Sequence, residues 1–192
     1  MLSPTTELEA INSMLSAIGE APVNTVEDSG VVDAVMARNI LRSVSREVQS
    51  RGWHWNTEKG MRITPTFPDK ELRLPRTVLR ADTVGSFQSI DVVVRGERLY
   101  DRRNHTYQFT QPVEIDMIVL LNFDELPEAA RVYITLRASR KFAERLVGSG
   151  ELSNFIYKDE IQSLVSLQEH ESDIADLNMF SDSYSVARVL HR

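Results

Sequence analysis

The apolar residues of this chain change their repeat twice, and that change constrains the fold more than any single motif. Leu8, Ile11, Leu15 and Ile18 recur at the spacing of one helix face. Thr6 and Glu9 before them have capping-box spacing, so a first helix is predicted to start near Thr5 or Thr6. Gly19 suits a left-handed stop, and Pro22 discourages continuation. A second helix follows Ser29-Gly30, with Ala37, Leu41, Val44 and Val48 as its apolar stripe and Gly52 as its end. Arg38, Arg42 and Arg46 form a separate stripe on that helix.

From Trp53 to Leu121 the repeat shortens. Met61 to Thr64, Glu71 to Leu74 and Asp91 to Arg95 are short and rich in strand formers. Arg95-Gly96-Glu97-Arg98 reads as a tight turn between Val92-Val93-Val94 and Leu99-Tyr100. Val113, Ile115, Met117, Val119 and Leu121 alternate with Glu114, Asp116 and Ile118, a strand pattern that becomes more buried at its end. Pro65, Pro68, Pro75 and Pro112 favour edges and loops.

Helical spacing returns after Pro127, through Ala130, Ile134, Ala138 and Phe142, with Leu146 extending the row. Gly148-Ser149-Gly150 breaks the chain, and a last helix is predicted from about Asn154 to Leu177. The expected class is α+β: an antiparallel bundle of about four helices with an inserted small antiparallel β subdomain. The predicted division is residues 1–52 and 123–177 for the helical bundle, 53–122 for the β-rich insert and 178–192 for a C-terminal tail. That tail is weakly patterned and is expected to order on a partner.

Composition removes several kinds of chemistry. The 192 residues include no cysteine, which excludes disulfides and thiol nucleophiles. A net charge of −6 argues against a free-standing DNA binder. The start, MLSPTTELEA, lacks the basic and apolar regions of a secretory signal. The apolar run Met117 to Leu121 is far too short to span a bilayer, so a soluble chain with no membrane partner is expected.

No active site is legible. His54, His105, His170 and His191 are widely separated, so no metal site is predicted. There is no G-x-S-x-G elbow and no G-x-x-x-x-G-K-[ST] loop, so neither a catalytic serine nor a nucleotide cofactor is expected. Asp124, Glu125 and Glu128 are an acidic group near a helix start, where carboxylates complement the dipole and cap amides. The same group is the best candidate for an alternative reading as a hydrolase that cleaves a glycosidic bond between paired carboxylates. A third reading is a cytoplasmic regulatory binding module.

Interaction surfaces are better supported. Trp53 and Trp55 share one face in an extended segment, as a core anchor or as interface residues. Nine basic residues between Arg62 and Arg103 stand against six acids. Between Glu151 and Leu177 seven acids stand against Lys158 alone. Such charge is either solvated surface or complementary contact between subunits. The candidate interface residues are Arg38, Arg42, Arg46, Trp53 and Trp55, with Met179, Phe180, Tyr184, Val189 and Leu190 in the tail.

Several blocks carry a family resemblance. LEAINSMLSAIGEAPV at Leu8 to Val23 and QSRGWHWN at Gln49 to Asn56 resemble the opening signature of the tail tubular protein A family of short-tailed bacteriophages. Arg38 to Leu41, VRGERLYDR at Val94 to Arg102, FDELPEAARVYITLRASRKF at Phe123 to Phe142, and Asn178-Met179 follow in the family's order. Thr64 to Gln88 resembles the family poorly. The resemblance implies a structural virion protein with no catalytic role. It implies a dodecameric ring between the portal protein and the tail nozzle protein (tail tubular protein B), made in the host cytoplasm. Its helical part is expected to pack between neighbours and its C-terminal segment to reach the portal. Viral DNA would pass through the channel without specific binding.

Overall fold

The computed structural model describes residues 4–26, 32–148 and 150–174. Among them are four α-helices and five β-strands, and the expected α+β class holds. The chain forms two compact units, Met1–Leu41 with Pro127–Arg192, and Arg42–Leu126.

In the first unit, α1 (Glu7–Ala17) begins where the sequence places it. Thr6 caps it, accepting from the Glu9 amide, while the Glu9 carboxylate accepts from the Thr6 amide at 2.8 Å. It stops in a Schellman arrangement: Gly19 takes φ +84°, its amide donates to Ser16, and the Glu20 amide donates to Leu15. Ala10, Ile11, Met14 and Leu15 are buried. α1 packs on α3 (Glu128–Leu146), whose Ala130, Ile134, Ala138 and Phe142 are all fully buried. Leu146 does not extend that row; it is 39% exposed in the last turn. The starts of the two helices are tied together. The Glu128 carboxylate accepts from the Thr5 amide and hydroxyl at 2.9 and 2.6 Å, and Arg131 donates to the Thr5 carbonyl at 2.7 Å.

α4 (Gly150–Ile174) packs back along α3. It starts earlier than the sequence reading expects. Gly148 lies in the break at φ +65°, and Gly150 is already helical. The predicted end at Leu177 lies outside the described residues.

In the second unit, three strands form an antiparallel sheet in the order β1 (Thr57–Ile63), β5 (Val113–Val119), β2 (Val78–Thr83). β3 (Val92–Arg95) and β4 (Arg98–Asp101) form a hairpin across the expected turn, with Gly96 at φ +64°. The predicted segment Glu71 to Leu74 contributes isolated bridges rather than a strand. Leu72, Leu74, Val92, Leu99, Phe109, Val113 and Ile115 make the core of this unit.

α2 (Val32–Gln49) runs across the division at Leu41. Its predicted stripe is buried: Ala37, Leu41, Val44 and Val48 are each at most 2% exposed. The helix ends before Gly52, which takes φ +79°. A Cβ built there would lie 2.5 Å from Ile118 Cδ1. Gly52→Ala is therefore expected to cost about 1–3 kcal/mol from strain and overpacking. Urea denaturation of the two chains checks it. Gly19→Ala, with a similar φ and nothing within 4 Å, should cost less.

Candidate functional site

Exposed apolar and charged side chains recur on two helices, α2 and α4. On α2, Val32, Val35, Asn39, Arg42 and Arg46 recur at i+3, i+4 and i+7 and point away from the buried stripe. Val32 is 72% exposed and Val35 38%. Arg42 and Arg46 are exposed, whereas Arg38 is half-buried. The three arginines step by four residues, so the row drifts around a helix of 3.6 residues per turn and Arg38 falls at the edge of the core.

Trp53 and Trp55 are placed differently from an extended segment. His54–Asn56 is a turn of 3-10 helix that Trp53 precedes. The Asn56 side chain accepts from the Trp53 amide at 2.8 Å and closes the turn. The two rings still stack, with centroids 6.3 Å apart and planes 10° from parallel. Trp53 is buried and its indole donates to the Val48 carbonyl at 2.8 Å. Trp55 is half-buried, and its indole nitrogen has no hydrogen-bond partner among the described residues.

The acidic last helix is not uniformly solvated. Glu160 is 4% exposed and accepts from Arg140 at 2.6 Å and Arg137 at 3.4 Å, both on α3. Arg140 also donates to Glu144 at 2.8 Å, and Ser153 donates to Glu144 at 2.6 Å. The Glu160 hydrogen bond, with Glu144 behind it, pushes the Arg140 guanidinium further above its ordinary value. The hydroxyl of Ser153 and then Arg140 hold the Glu144 carboxyl below its ordinary value. These bonds lock α4 antiparallel to α3.

Beside that lock the two helices leave an open groove of about 370 Å³. Ala129, Val132 and Leu136 line one wall, at helical spacing on a face of α3 next to its buried row. Gln162 and the small Ser163 and Ser166 of α4 line the other. Glu128 and Asp159 complete the lining. Val132 is 39% exposed, and on α4 Phe155, Ile161 and Val165 are 69%, 43% and 48% exposed. The sequence reading missed this groove. Its only signal was Ala129, Val132 and Leu136 lying off the main stripe.

The basic stretch of the second unit is partly neutralised within itself. Glu71 takes Arg98 at 2.6 Å and Arg73 at 3.3 Å, Arg76 pairs with Glu97, and Arg102 reaches Asp91 at 3.6 Å. Arg95 lies 3.8 Å over the Tyr100 ring and Arg98 4.3 Å over Tyr107, and the two tyrosines meet edge to face. The Arg98 hydrogen bond holds the Glu71 carboxyl below its ordinary value against the effect of burial. Asp101 is 5% exposed; burial pushes its carboxyl up. Hydrogen bonds from the Asn104 amides and the Arg103 amide outweigh that, and its value falls below 3.8.

The acidic group near α3 serves helix ends. Glu125 accepts from the Asn122 amide at 2.8 Å, and Glu128 holds Thr5. Among the described residues no three His, Asp or Glu side chains group as a metal site, and no helix is long and apolar enough to cross a membrane. Met179, Phe180, Tyr184, Val189 and Leu190 lie outside the described residues.

Two comparisons with known proteins place the chain. Residues 8–177 match the family described as Tail tubular protein. Tail tubular protein A of Klebsiella phage KP34 is 29% identical over 165 residues, covering 85% of this chain and 86% of that protein. The chain is thus a structural component of a bacteriophage tail, part of the virion and of an assembly with other tail proteins. It belongs to the Tail tubular protein family.

Two stability predictions follow from the charged pairs. Glu160→Ala should cost about 3 kcal/mol, because it removes the buried carboxylate that Arg137 and Arg140 share and leaves Arg140 only the more exposed Glu144. Chemical denaturation measures it. Asp101 has a lowered folded value, so its stabilisation is present above the ordinary 3.8 and lost as pH falls through the folded value. An acid titration followed by circular dichroism should show Asp101→Asn less acid-sensitive than the parent below that pH.

Proposed function

We propose that this chain is a head-to-tail adaptor. In this reading it forms a ring, dodecameric in the virion, that joins the portal protein above to the tail nozzle protein (tail tubular protein B) below. The ring extends the DNA channel used in genome packaging, retention and ejection. The chain is made in the host cytoplasm and ends at the head–tail junction. The observation that carries the reading is the family match over residues 8–177, which takes in parts of both compact units.

Two physical features support it. The net charge of −6 suits a conduit, because phosphate-rich DNA must slide past without being gripped. Most of the exposed large apolar residues, Phe67 and Met61 apart, sit on helix faces rather than in an enclosed cleft, as contacts formed on assembly require. A ring adaptor needs heterologous contacts that close by rotation and no catalytic group. Arg38, Arg42, Arg46 and the half-buried Trp55 are candidate subunit contacts, whereas Trp53 is buried within its own copy. Met179, Phe180, Tyr184, Val189 and Leu190 are candidate portal contacts.

Electron microscopy of the purified chain mixed with its phage's portal ring tests this. A twelve-fold collar added to the portal is the expected outcome. A clean portal beside folded, unbound chain would refute the adaptor role. Removing residues 178–192 should weaken collar formation while leaving the far-ultraviolet helical signal of the remaining chain in place. Unchanged docking by the shortened chain would remove the tail's part in it.

A further inference from the structure

We infer that the outer face of α2 in one copy seats in the α3–α4 groove of the next copy, as the ring's repeating contact. The inference rests on the adaptor reading, and it names two different surfaces that must meet if copies associate head to tail. Three observations carry it.

The first is shape. The groove is open, about 370 Å³, and walled on one side by Ala129, Val132 and Leu136. Ser163 and Ser166 opposite are small, so a third helix can approach closely there. The outer face of α2 offers Val32 and Val35, 72% and 38% exposed, as apolar knobs.

The second is charge. α4 carries six acids against Lys158 alone, and Asp159, Glu169 and Asp173 are exposed. The outer face of α2 carries Arg42 and Arg46 beyond its valines. Glu160, the buried acid of α4, is already matched by Arg137 and Arg140, so the solvent-facing acids are what a partner meets.

The third is register. α4 runs antiparallel to α3, with Glu160 level with Arg137 and Arg140 and Ser153 bonded to Glu144. Asp159 therefore lies about two turns beyond Val132 along α3. Arg42 lies seven residues beyond Val35, a rise of about 10 Å. With Val35 against Val132, α2 laid parallel to α3 brings Arg42 to Asp159. The contact is heterologous, so each copy offers one surface and receives the other.

The chain has no cysteine, which makes the test clean. Val35→Cys and Val132→Cys are combined in one chain, assembled on the portal under reducing conditions, then oxidised. The expected result is a ladder of covalent multimers running past the dimer, absent from either single variant. A product that stops at the dimer, or no cross-link within a normal collar, overturns the inference and leaves the adaptor reading standing. No collar with the parent chain overturns both. As a second measurement, Arg42→Glu and Asp159→Arg should each lower collar occupancy about tenfold, and the combined variant should recover most of it. Loss in the singles without recovery in the pair overturns the proposed register.

Discussion

The buried side chain of Gln49 is the interaction on which the second unit depends. It is fully buried at the last residue of α2, and both ends of its amide are used. Its oxygen accepts from the Leu121 amide at 2.8 Å, and its nitrogen donates to the Leu121 carbonyl and the Ser45 hydroxyl, each at 3.0 Å. The glutamine thus does for the end of β5 what a neighbouring strand would do. Asn56 continues the arrangement, donating to the carbonyls of Gln49 and Val119 at 3.0 Å and accepting from the Trp53 amide. A buried amide or carbonyl without such a partner costs about 1–3 kcal/mol, so these two side chains fix where the helix stops and both strands sit. Gly52 lets the backbone pass over Ile118 in the same few residues.

That arrangement was not legible in the sequence, and the reason is physical. Gln49 and Leu121 are 72 residues apart, and a polar residue at the end of a helix has no local signal that it will be buried. α1 and α3 were legible because their signals are local: a capping box, a left-handed glycine and apolar steps of three and four. β5 was legible because its alternation is regular. β2 was missed because its pairing with β5 shifts between Val78 and Arg80, which breaks the alternation a reader relies on. β1 was only partly seen for the same reason. Its register shifts between Glu58 and Met61, where Gly60 takes φ +64° and its amide donates to Asp116 at 2.8 Å. Trp53 to Trp55 read as extended because the Asn56 side chain that folds the turn acts across the backbone, not through periodicity.

The candidate surfaces divide along the same line. The arginine row of α2 is periodic and visible, although its drift around the helix sends Arg38 half into the core. The acid excess of α4 is visible too, but which acids are spent internally is not. Glu160 is spent on Arg137 and Arg140, while Asp159 beside it is exposed. The groove needs both helices at once, because its wall of Ala129, Val132 and Leu136 is unfilled only where Ser163 and Ser166 face it. The basic residues from Arg62 to Arg103 looked like a partner surface. Much of their charge is answered by Glu71, Glu97 and Asp91.

These internal pairs bear on assembly through the ordering cost of association. A surface that must first order itself gives up part of its binding free energy in doing so. The Glu160 pair and the Glu144 bonds hold α4 on α3 before any partner arrives, so the width and depth of the groove belong to the folded chain. The buried stripe of α2 likewise fixes which side of that helix faces outward. Two preorganised surfaces of different shape and opposite charge favour contact between unlike surfaces, because like surfaces would bring arginine to arginine or acid to acid. In a ring that relation repeats at every junction. A modest free energy per contact then suffices, since closure of the last junction joins copies already held by their neighbours.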